Sequence, residues 1–144
     1  MGKGKRSPFW NSIIVATLLL CIFAFVEHYK NWYDLKDGSF KIVSGAYYQK
    51  IPLDQVDSLL LVDRLPEMQR HSGFSWKAKE KGIFTDSVHG FDVHVFVDDL
   101  WQQKIKMVHH DSLILYVNLQ DSVRTRELFD QLQTERTAMA KDPE

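Results

Sequence analysis

Between Trp10 and Val26 the chain reads WNSIIVATLLLCIFAFV, its only long stretch without a charged side chain. A bilayer hydrocarbon core about 30 Å thick takes about 20 mostly apolar residues at helical rise. Pro8 to Val26 approaches that length with Asn11, Ser12 and Thr17 as its only polar members. The pattern predicts one N-terminal transmembrane helix. Amphipathic rings favour the two membrane–water interfaces. Trp10 therefore reads as an interface anchor at one end, and Trp32 and Tyr33, beside Tyr29, at the other, so that residues 9–33 form the span and its interfacial segment. A cleaved signal peptide shares the basic start and apolar middle, but no small-x-small pair follows the run before Glu27. Cys21 follows Leu20, where a lipoprotein signal needs a small residue, so it reads as a cysteine among lipid tails.

Beyond the apolar run, Asn31 to Gly38 is polar and ends on the turn signal Asp37-Gly38, which predicts a short tether. The period then becomes two. Ser39 to Ser44 sets Phe40 and Ile42 against Lys41 and Val43, Ser44-Gly45 breaks it, and Ala46 to Ile51 completes a hairpin edged by Pro52. Leu59 to Val62 fits a strand or a helical turn equally. Arg64 to Phe74 has no regular pattern and is expected to be a surface loop. Ser75 to Phe84, Phe91 to Val97, Lys104 to Val108 and Ser112 to Leu119 follow as short strands between turn signals, which predicts an antiparallel sheet or barrel. After Asp121-Ser122 the period changes again. Val123, Leu128, Phe129, Leu132 and Met139 fall near one side of a closing helix, and Arg124, Arg126, Gln133 and Glu135 largely on the other.

At 144 residues, the chain minus its anchor holds one domain of ordinary size, expected over residues 39–140. A net charge of −1 with interleaved signs argues against a nucleic-acid partner. The single cysteine lies in the apolar run, leaving the domain without disulfide or thiolate chemistry. Lys3, Lys5 and Arg6 make residues 1–8 a basic flank, against Lys30 and Lys36 on the far side. By the positive-inside rule this predicts a cytoplasmic N-terminus and an extracytoplasmic domain, as in a signal anchor.

Seven strand candidates followed by one amphipathic helix is the pleckstrin-homology order. The stretch from Phe40 to Leu132 resembles the small bacterial PH-like domains. A hairpin leads into Ile51-Pro52-Leu53-Asp54-Gln55-Val56, then come Leu65-Pro66, Arg70 with Gly73-Phe74, Lys81-Gly82-Ile83-Phe84, the strand Val93 to Val97, and Tyr116-Val117-Asn118 before the helix. The resemblance implies a mainly β, α+β fold, an antiparallel barrel or sandwich capped by the C-terminal helix. It also implies a bacterial membrane-associated module with a protein partner. Lipid-binding members of the wider class carry several basic residues across the first hairpin, whereas this chain has Lys41, the tight turn Ser44-Gly45-Ala46 and Lys50, so no phosphoinositide signature is present.

Signatures of chemistry are sparse: there is no glycine-rich phosphate loop, nucleophile elbow or HExxH pattern. His109 and His110 are adjacent and would point to opposite faces of a strand; His89 and His94 are five apart across Gly90. No catalytic, cofactor or metal residues are assigned. Two residues stand out as candidate partner-binding positions. Arg70 offers a guanidinium to an anionic partner, or pairs internally with Asp63 or Glu67. Trp101 sits at a turn, where an exposed indole anchors an interface; it and Trp76 are otherwise core residues. Three classes of function follow: a tethered binding or scaffolding module, an accessory subunit docked through its transmembrane helix, and, with least support, a hydrolytic or metal-dependent enzyme.

Overall fold

The computed structural model describes residues 8–141, so the basic cluster Lys3, Lys5 and Arg6 lies outside it. Helix α1 (Pro8–Tyr29) contains the apolar run, and none of Pro8–Val26 is buried against the rest of the chain. By length and composition this helix can cross a membrane, as an anchor or a signal sequence does.

Among the described residues nine strands and a second helix follow: β1 (Trp32–Lys36), β2 (Ser39–Ser44), β3 (Tyr47–Pro52), β4 (Val56–Val62), β5 (Met68–Trp76), β6 (Lys79–Asp86), β7 (Asp92–Val97), β8 (Lys104–His109), β9 (Leu113–Asn118) and α2 (Ser122–Lys141). The molecule is α+β and mainly β. Two strands were not expected. The segment read as a tether contains β1, which pairs with β2 from Trp32↔Val43 to Lys36↔Ser39. Asp37 and Gly38 both have positive φ, 53° and 64°, the conformation of a two-residue hairpin turn whose twist matches its strands. The segment read as a loop contains β5, which pairs with β6 from Met68↔Asp86 to Trp76↔Lys79. Nearly all β5 side chains are exposed, so no alternation marks it in the sequence.

Strands β1, β2 and β3 form one antiparallel sheet, and the remaining six take the order β4-β8-β9-β7-β6-β5. The expected all-antiparallel order fails at one point: β9 enters between β7 and β8 and runs parallel to β7. Strands β4 and β5 are the two edges and do not bond each other, so no closed barrel forms among the described residues. The sheet is nevertheless curled. Five strand spacings would hold flat edges about 24 Å apart, whereas the six Cα steps from Val62 to Met68 reach at most about 22 Å.

The main core lies between the two sheets and α2. It joins Phe40, Ile42 and Ile51 to Phe96, Ile105, Met107, Leu115 and Val117, with Leu128 and Leu132 of α2. A second cluster, Phe84, Val93, Val95, Val97 and Tyr116, fills the other face of the six-stranded sheet beneath Leu65 and Met68. The α2 stripe is shorter than its sequence suggests. Leu128 and Leu132 are fully buried and Phe129 half-buried, while Val123 and Met139 are exposed.

Strand register brings Val62, Trp76, Lys79, Val97, Lys104 and Asn118 to one end of the six-stranded sheet. Helix α1 arrives at that same end.

Candidate functional site

Only Lys30 and Asn31 separate α1 from β1. Asn31 is buried, which is unusual for an amide side chain and requires its polar atoms to be paired. Its backbone N–H donates to Asp98 Oδ2 at 2.8 Å, and its Nδ2 donates to the carbonyls of Phe96 at 2.6 Å and Asn118 at 2.8 Å. Its Oδ1 accepts from Ser44 Oγ at 2.6 Å. The exit of α1 is thereby bonded to both sheets. Asp98, 3 % exposed, balances the buried Lys81 ammonium, whose Nζ lies 3.0 Å from Asp98 Oδ1 in an ion pair without hydrogen-bond alignment. Burial lowers the Lys81 pKa, and the Asp98 charge opposes that shift.

Asn118, also fully buried, extends the network into the loop after β7. Its Oδ1 accepts from the N–H groups of Asp98 and Asp99, at 2.8 and 3.1 Å, and its Nδ2 donates to the carbonyls of Asp99 and Gln103, at 2.6 and 3.2 Å. That uses an amide's whole bonding capacity. Lys104 Nζ donates to the carbonyls of Leu100, at 2.6 Å, and Asp63, at 2.8 Å. On this braced loop Trp101 is 88 % exposed, its backbone N–H donating to Asp99 Oδ1 at 2.9 Å. Beside it runs a groove of about 590 Å³ lined by Leu61, Gln102, Val123, Arg126 and Asp130. A neighbouring cleft of about 430 Å³ at the helix exit is lined by Lys30, Trp32, Asp98, Gln120 and Arg124.

The β5–β6 hairpin supplies the third part. Gly73 faces Gly82 with φ of 152° and 155°. A Cβ on Gly82 would collide with the Ser72 carbonyl oxygen, and one on Gly73 with that of Lys81. The register also slips by one residue between Arg70 and Ser72, a bulge of the kind that bends a strand. Beyond this point the tip turns against α1. Phe74, Trp76 and Lys79 line a small cavity with Phe25 and Tyr29, and Lys79 Nζ lies 4.5 Å from the centre of the Tyr29 ring. Gln120 Nε2 donates to the Tyr29 carbonyl at 3.3 Å, and the N–H of Leu100 donates to the Ala78 carbonyl at 2.7 Å, tying the tip to the Trp101 loop.

The residues singled out from sequence are spread over this arrangement. Arg70 is on β5, outside the junction; it pairs across the hairpin with Glu80 at 2.8 Å, not with Asp63 or Glu67, and lies 5.6 Å from the Phe84 ring centre. Trp10 is exposed near the start of α1. Trp32 is exposed on β1 with Lys30 Nζ 3.9 Å from its ring centre, whereas Tyr33 is half-buried with its ring 6.3 Å from Phe40, turned to the core. His109 and His110 do not diverge as strand neighbours would. His110 leaves the strand with φ 48°, and the two Nδ1 atoms meet at 2.8 Å. Burial, then His110 and His94, lowers the His109 pKa to about 4. Among the described residues no group of three or more His, Cys, Asp or Glu is arranged to hold a metal ion.

Asn31, Lys81 and Asn118 were not singled out from sequence as site residues, because an amide or ammonium buried by tertiary contacts has no periodic signature. Asn118 alone had a signal, ending an apolar strand just before a helix cap. No family model, curated protein or solved structure matches the chain.

Proposed function

We propose that the protein is a non-enzymatic, membrane-anchored binding module in which α1 holds the domain at a bilayer surface and Trp101 meets a protein partner. The observation that carries this reading is Trp101 itself. A large apolar ring held at 88 % exposure by two buried polar side chains, beside a groove, is what an interface anchor requires. The PH-like likeness belongs to the same proposal. Two sheets and a closing helix favour it, while the parallel β7–β9 pair departs from it. So does the orientation in a bacterial inner membrane belong to it, N-terminus inside and domain outside, which rests on the charges of Lys3, Lys5 and Arg6.

A photo-crosslinking amino acid at position 101, in intact cells, tests the module. We expect one adduct of defined mass there and none from position 89, which lies in a separate exposed turn. Equal labelling from both, or none from 101, overturns the partner role of Trp101. The alternative, an accessory subunit docked through its helix, is favoured by the exposure of α1 along its length up to the last turn. It predicts the adduct from position 18 in α1 instead.

A further inference from the structure

The tip of the β5–β6 hairpin is fixed to α1 at the level where the apolar run ends. Phe74 and Trp76 share a small cavity with Phe25, the residue before Val26, and with Tyr29 one turn later. Four residues of helix rise about 6 Å. The headgroup and interfacial layer is about 5 to 8 Å deep on each side of the hydrocarbon core. With only Lys30 and Asn31 between helix and sheet, and Asn31 bonded on every side, the tip has little freedom to leave that level. Trp76 is 53 % exposed and Phe74 37 %, and Lys77 at the turn has φ 53°, a left-handed conformation that non-glycine residues adopt at some cost in energy.

We infer that this tip is a second membrane contact: Trp76 and Phe74 bed in the lipid headgroup–acyl boundary beside the end of α1, with Lys77 at the headgroups. The occupant is the lipid of the leaflet next to the domain. The inference rests on the anchoring of α1 proposed above, since without a bilayer around the helix the tip meets water. An indole there gains from both its apolar body and its N–H. The bulge between Arg70 and Ser72 and the close approach of Gly73 and Gly82 lie between the body of the sheet and this aromatic end.

The full chain in lipid vesicles, with single tryptophans, tests this. Trp10, Trp32 and Trp101 are exposed and are replaced by Phe, leaving Trp76 alone; a second chain has all four replaced and carries Leu18→Trp in mid-span. Lipids brominated near the headgroup or near the chain ends are the quenchers. We expect Trp76 emission to be blue-shifted and quenched more by the shallow bromines, and the emission of the Leu18→Trp chain to be quenched more by the deep ones. Quenching at position 18 with water-like, unquenched emission from Trp76 overturns the hairpin contact and leaves the anchor standing. No quenching at either position overturns both. If the chain that keeps only Trp76 does not fold, a nitroxide at position 76 in the Cys21→Ser chain reads the same depth. Greater collision with oxygen than with a water-soluble nickel complex supports the contact, and the reverse overturns it.

Discussion

Asn31 and Asn118 lie fully or almost fully in the interior, yet neither leaves a donor unpaired. The consequence is asymmetric, because removing one partner leaves the others unpaired in a buried or half-buried site. Asn118→Ala would orphan two N–H groups and two carbonyls and should destabilise the chain by about 2 to 4 kcal/mol, read as a lower urea midpoint at constant slope. Asn118→Asp should do little better, since a carboxylate cannot donate to Asp99 and Gln103. A loss below about 0.5 kcal/mol in both would show that the network is not cooperative. His109 makes a different residue-scale prediction. Its pKa is about 4 in the folded chain, against about 6.5 unfolded. Between those values the unfolded chain binds more protons, so stability rises with pH. The His109 contribution is complete above pH 6.5 and is lost as pH falls towards 4. The loss from pH 7 to 4.5 should be on the order of 2 kcal/mol, and His109→Gln should flatten most of that slope. His94, also lowered by burial, leaves a residue of it. An unchanged slope in the variant would exclude His109 as its source.

At the scale of elements, legibility followed burial. Strands β7 and β9 are buried on both faces, and their apolar alternation was legible because each face meets its own cluster. Strand β5 was not, since its hydrogen bonds rather than its side chains define it. Strand β1 had a readable signal in the Asp37-Gly38 hairpin turn, which a reading of Asn31 to Gly38 as a polar tether takes for the tether's end. In α2 the stripe marked Leu128 and Leu132 correctly but extended to Val123, which the helix start leaves beside the Trp101 groove. Leu128→Asp should therefore unfold the domain, as an unpaired buried carboxylate costs several kcal/mol, while Arg126→Ala loses only an exposed bond to Gln103. Circular dichroism on both variants decides it, and equal tolerance would remove α2 from the core. Gly82→Ala should destabilise the β5–β6 hairpin by about 1 to 3 kcal/mol. Gly90→Ala, at φ 71° but with open space around its Cβ position, should destabilise the chain less. Equal effects in urea titrations would mean that the close approach of Gly73 and Gly82 is not what demands glycine.

For the whole molecule, the helix and the sheet domain meet at a joint that sequence could not mark, because it forms from residues as far apart as Asn31 and Asn118. The expected domain start at residue 39 lies after Asn31 and after β1. A chain beginning there lacks β1, with Tyr33 and Leu35 that pack against the main core, and lacks Asn31. Half-burial of the two side chains is worth about 1 kcal/mol each, and the unpaired Asp98, Phe96, Asn118 and Ser44 groups add about 2 to 3 kcal/mol. Set against a domain stability of about 5 to 15 kcal/mol, the loss is a large fraction. It also exposes the β2 edge, whose open N–H and C=O row invites pairing between chains. We expect residues 31–141 to be monomeric with a single cooperative urea transition, and residues 39–141 to unfold at lower urea and to self-associate. Light scattering with denaturation of both fragments checks this. Matching midpoints and matching masses would mean that β1 and Asn31 belong to the anchor rather than to the domain, and that the helix is joined to the sheet by a flexible leash.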